Sequence, residues 1–75
     1  MKYIVVDDGL NDCPYIFPDH IQHFYMLSCV GGKIVSAGFV TFTPEGLDCY
    51  GNSISLGVAS RPEIDNKLLK SLIGG

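Results

Sequence analysis

Seventy-five residues suffice for a single domain, and a chain of this length buries only about 60% of the surface its unfolded form exposes, which leaves its core thin. Hydrophobic residues make up 47% of the chain and mean hydropathy is +0.26, more apolar material than so small a body hides within itself, so self-association into a homo-oligomer is expected. Five basic residues, scattered at Lys2, Lys33, Arg61, Lys67 and Lys70 in a chain of formal charge −3, exclude the clustered basic face that long DNA or RNA requires.

Tyr3 to Val6 is a β-branched and aromatic run closed by the turn signal Asp7-Asp8-Gly9, and reads as a first strand. No run approaches the length of about eighteen apolar residues that spans a membrane, and this N-terminus lacks the features of a signal peptide, so a cytoplasmic protein without a membrane partner is expected. Leu10 to Tyr15, polar and containing Pro14, reads as a loop. Beyond Pro18-Asp19-His20, the residues Ile21, Phe24, Tyr25 and Leu27 or Ser28 recur at helical spacing up to Gly31-Gly32, which predicts a helix of about ten residues.

Lys33 to Thr43 alternates, with Val35, Ala37 and Phe39 on one side and Ile34, Val40 and Phe42 on the other, and reads as a central strand that is apolar on both faces. Thr43-Pro44-Glu45-Gly46 predicts an antiparallel return through Leu47 to Tyr50. At Gly51-Asn52 either the strand bulges and resumes at Ser53 to Val58, or two short strands meet at a bend. Ser60-Arg61-Pro62-Glu63 has the spacing of a capping box. Ile64, Leu68, Leu69, Leu72 and Ile73 then make an apolar stripe opposite Asp65, Asn66, Lys67 and Lys70, with Gly74-Gly75 as the stop. The expected fold is a single α+β domain over residues 1–75, with a small antiparallel sheet of three to four strands and two helices.

The densest cluster of hydrogen-bonding groups lies between Tyr50 and Arg61. Arg61 and Ser60 at a helix start suit a phosphate or carboxylate, because the free amides and the dipole there favour negative charge. The plainer alternative is that Ser60 only caps the helix and Arg61 pairs with Asp65 or Glu63. Ser53 and Ser55, two apart on the expected strand, would share a face with Asn52 nearby, and Tyr50 or Tyr25 could stack on a base. Gly51-Asn52-Ser53-Ile54-Ser55 lacks the final glycine of a nucleophile elbow, and neither glycine-rich segment has phosphate-loop spacing.

His20 and His23 lie one helical turn apart and, with Cys13 and Cys29, are of the right chemistry for zinc, but no cysteines are paired at ligand spacing, so no metal is expected. The histidines are expected on the exposed or interfacial side of the helix. Cys49 reads as a small buried hydrophobe, and Asp7, Asp8 and Asp12 as a solvated turn. No acid/base pair or oriented nucleophile can be assembled from spacing, which points to a non-catalytic protein without a cofactor.

Ser36-Ala37-Gly38-Phe39-Val40, together with the segments from Cys49 to Gly57 and from Ser60 to Glu63, resembles small uncharacterised proteins of phages and prophages. The resemblance implies a role in counter-defence, by analogy with viral sponges that sequester nucleotide immune signals, and a place in the host cytoplasm. The resulting expectation is a homo-oligomer that binds a small anionic, nucleotide-like ligand in pockets between subunits through Arg61, Ser60, Ser53, Ser55, Asn52, Tyr50 and Tyr25. The alternative is an inhibitor or adaptor that binds a host protein through exposed apolar surface.

Overall fold

The computed structural model describes residues 1–73; the Ile73 side chain and the proposed stop at Gly74-Gly75 lie outside the described residues. Its main sheet is antiparallel with strand order β2-β1-β3-β4, formed by β1 (Lys2–Asp7), β2 (Asp12–Phe17), β3 (Lys33–Thr43) and β4 (Gly46–Tyr50). Helix α1 (His23–Val30) lies on one face and α2 (Pro62–Ile73) on the other, and a two-stranded ribbon, β5 (Asn52–Ser53) with β6 (Val58–Ala59), joins β4 to α2. The α+β class and the two helices are as expected.

Tyr3 to Val6 of β1 are all apolar because both faces of the strand are covered. Tyr3 and Val5 pack with Val40, Leu47, Cys49 and Leu69 under α2. Ile4 and Val6 pack with Phe17 and Ala37, against which Met26, Leu27 and Val30 of α1 and Leu56 and Val58 of the ribbon are laid. Cys49 is buried, as expected. No helix among the described residues is long and apolar enough to cross a membrane.

Four expectations are corrected. The supposed loop from Leu10 to Tyr15 contains most of β2: Asp8 closes a tight turn by accepting from the Leu10 and Asn11 amides at 2.9 and 2.8 Å, and the chain returns at once beside β1. Pro14 is tolerated opposite Val5 because β2 is an edge strand, where a missing N–H need not break a ladder bond. In β3 the pairing skips Val35, a bulge that moves Val35 to the α2 side and Ile34 to the α1 side, reversing the predicted alternation at its start. Of the two alternatives at Gly51-Asn52, a strand resuming from Ser53 to Val58 is the one not realised: short β5 follows β4 across Gly51, and the chain folds back through a turn at residues 54–57, where the Gly57 amide donates to the Ser53 carbonyl at 2.9 Å.

The fourth correction concerns α2, which is turned about its axis relative to the predicted stripe. Asp65, assigned to the polar side, is completely buried beside Leu69, whereas Ile64 and Leu72 are 52% and 53% exposed. The rotation also places Asn66 over the outer edge of β4, where its side-chain oxygen accepts from the Cys49 amide at 2.7 Å. One sheet edge is thus covered by Asn66 and the other interrupted by Pro14, two devices that discourage strand addition.

Burial pushes the Cys49 thiol from its ordinary 9.0 up to about 11, and burial, with the Asp65 carboxylate alongside, raises the Tyr3 hydroxyl as well. Folding therefore holds both protons beyond the pH at which the unfolded chain releases them: the Cys49 contribution to stability is complete below about pH 9 and is lost as pH rises toward 11, and the Tyr3 contribution begins to fall only above about pH 10. Thermal melts across this alkaline window should show Tm falling, with a shallower fall in Cys49→Ala; equal slopes in the two proteins would contradict this account.

Candidate ligand-binding site

Arg61 is the residue before α2, and Pro62 occupies the first helical position, where its missing N–H is no loss. The Arg61 carbonyl accepts from the Ile64 and Asp65 amides at 3.0 and 2.7 Å, and the Asp65 carboxylate in return accepts from the Arg61 amide at 2.9 Å. This reciprocal arrangement replaces the predicted Ser60–Glu63 capping box. Ser60 instead ties the loop to the ribbon, its amide donating to the Gly51 carbonyl at 3.0 Å.

The Arg61 guanidinium also turns back onto Asp65, its Nη2 and Nε donating to Oδ1 at 2.9 and 3.2 Å, and its Nη2 lies 3.7 Å from Asp12 of β2. Pairing with Asp65 was one of the sequence-level alternatives, and it is the one realised. The Tyr3 hydroxyl donates to Oδ2 and the Ser36 hydroxyl to Oδ1 at 3.0 Å. Sequence reasoning assigned neither residue to this site: a buried tyrosine and a strand serine carry no motif. The pairing leaves Nη1 without a hydrogen-bond partner among the described residues. Arg61, Pro62, Glu63 and Ile64 line an open depression of about 370 Å³. Local charge is unfavourable for a multiply charged anion, since Asp12, Asp65 and Glu63 surround the one cation.

The other expected binding residues are distributed elsewhere. Tyr50 stands across from Phe39, ring centroids 5.9 Å apart, on the face of the sheet opposite to Arg61. Behind it Phe39 stacks on His23, which meets Phe17 edge-on. Ser53 is buried and its hydroxyl is engaged within its own turn, 3.3 Å from both the Ser55 hydroxyl and the Leu56 amide; the two serines are neighbours through that turn rather than along a strand. Asn52 is exposed at the ribbon base, and Tyr25 is exposed on α1. Within one chain, therefore, Arg61 and the tyrosines do not share a pocket.

His23 departs from expectation, being buried with its Nε2 2.8 Å from the Gly38 carbonyl oxygen, whereas His20 is exposed. Gly38 is required where it stands, because a Cβ there would run into the Tyr50 carbonyl oxygen. The Cys13 thiol contacts Asp8 at 3.3 Å, and that carboxylate raises the thiol's pKa; the Asn11 and Leu10 amides hold the Asp8 carboxyl below its ordinary value. No group of three or more histidine, cysteine or acidic side chains is placed to hold a metal among the described residues.

Asp65→Asn should cost about 3 kcal/mol or more in urea unfolding, because it removes the charge that five donors surround. Arg61→Ala should cost less, about 2 kcal/mol, since Tyr3, Ser36 and a backbone amide still serve the carboxylate. The reverse ranking would show that Asp65 is not the anchor. Comparison of the chain with protein-family models, with curated proteins and with solved structures yields no match.

Proposed function

We propose that the chain is a non-catalytic, homo-oligomeric binding protein that sequesters a small nucleotide-like ligand, in the manner of a viral sponge. The supporting observation is that Arg61, its guanidinium held by Asp65, is among the residues that line an open depression. A pre-positioned arginine loses little freedom on binding, and with Nε and Nη2 held by Asp65 its Nη1 is the nitrogen left to donate to a phosphate oxygen. Because three carboxylates surround it, the ligand suited to it carries little charge and gains affinity from a stacked base. Tyr50 and Tyr25 offer exposed rings, and they meet a ligand at Arg61 only when a second subunit brings them there.

Calorimetry against cyclic mononucleotides, cyclic dinucleotides and ADP-ribose-type nucleotides should find a binder of micromolar affinity or better, with the singly charged cyclic mononucleotides ahead of the doubly charged compounds. Tyr50→Ala, an exposed substitution, should weaken it about tenfold, the effect of losing one base–aromatic stack. Silence across the panel overturns the reading.

A second reading is favoured by the exposed rings of Phe24, Tyr25, Phe42 and Tyr50, which suit an inhibitor or adaptor of a basic host protein. In that case a host protein captured by the chain should survive Arg61→Ala and be released by Tyr25→Ala. Loss of capture with Arg61→Ala alone rejects it.

A further inference from the structure

The outer side of α2 carries a second depression of about 450 Å³, lined by Glu63, Ile64, Lys67, Leu68 and Ser71. It shares Glu63 and Ile64 with the one beside Arg61, so the two form a continuous shallow groove along the helix. Ile64 is about half exposed on a helix whose other side is docked to the sheet. Glu63 and Lys67 make no ion pair among the described residues, although they are four apart and of opposite sign.

From this we infer that the groove is where a second copy of this chain packs, α2 against α2 and antiparallel; the inference rests on the homo-oligomeric reading above and completes the Arg61 end of the site, while Tyr50 and Tyr25, on the other face of the sheet, are reached only by a further contact between such pairs. A two-fold axis passing near the level of Asn66 would set Ile64 against Leu68 of the second copy and bring Glu63 toward Lys67 of the second copy, twice over. The face is thus complementary to itself in both apolar pattern and charge, as an isologous contact requires. Pairing through the sheet edges is the competing route, and Asn66 and Pro14 obstruct it. The same axis places Ser71 of the second copy near Arg61, and Lys67 of the second copy neutralises the Glu63 that otherwise opposes an anion there. Two helices of 12 residues, each about 18 Å long, make a contact smaller than the roughly 1,200 Å² at which stable interfaces begin, so the dimer should be no tighter than micromolar.

Sedimentation of the full chain tests this. Wild type should dimerise in the micromolar range; Glu63→Lys alone and Lys67→Glu alone should each raise the dimer Kd about tenfold by setting like charges together. The double reversal should restore it to within about threefold, a recovery that a merely unfolded variant would not give. Phe24→Glu on α1, at an exposed ring outside the ligand site, should leave the constant unchanged. Failure of the double reversal to recover, or dissociation by Phe24→Glu, overturns the α2 pairing. Calorimetry on the same samples separates the two proposals: a wild type that binds nucleotide as a monomer overturns the pairing alone, and a charge-swap-rescued dimer that binds nothing in the panel overturns the ligand reading alone.

Discussion

The carboxylate of Asp65 is fully buried and accepts five hydrogen bonds, from Tyr3 of β1, Ser36 of β3, and the amide and guanidinium of Arg61 at the start of its own helix. Burying such a charge without partners would be prohibitive, so the position of α2 and its rotation about its axis are both set by the need to bring that carboxylate to these donors. Leu69 follows one turn later into the apolar layer, and Asn66 follows onto the edge of β4. The exposure of Ile64 is the other side of the same constraint, whereas Leu72, on the same side of the helix as Asp65, is exposed at the helix end.

On the opposite face, aromatic packing does the equivalent work. Phe17, His23, Phe39 and Tyr50 run in contact from beneath α1 to the surface, and His23 anchors the helix start to β3 through the Gly38 carbonyl. A sheet covered on both faces with only 75 residues leaves little material for the outer sides of its covers. That shortage explains why α1 presents Phe24 and Tyr25, and α2 presents Ile64 and Leu72, to the exterior. It also separates Arg61 from the tyrosines, so a site that uses both needs more than one subunit.

Local signals were legible where the residues themselves decide the conformation. Proline and glycine between two β-rich runs made the β3–β4 hairpin readable, and Gly31 after an apolar helical run made the end of α1 readable. The signals failed where a distant partner decides. β2 was missed because its polar start and Pro14 resemble a loop, and only β1 beside it makes it a strand. The capping box was misassigned because Ser60 and Glu63 had the right spacing, but Asp65, drawn inward by Tyr3 and Ser36, reached the amide before the helix first.

By itself the sequence determined the α+β class, the single domain, the main hairpin and both helices, because these follow from periodicity, turn chemistry and length, which act within a few residues. It also identified Arg61 and Asp65 as possible partners, since a spacing of four along a helix permits it. Only the tertiary structure decided which side of α2 faces the sheet, that Val35 is bulged, that His23 is buried, and that Arg61 and Tyr50 stand on opposite faces. Each of those outcomes depends on contacts between strands and helices far apart in the chain, where the burial of one charge outweighs the apolar preference of a whole helical stripe.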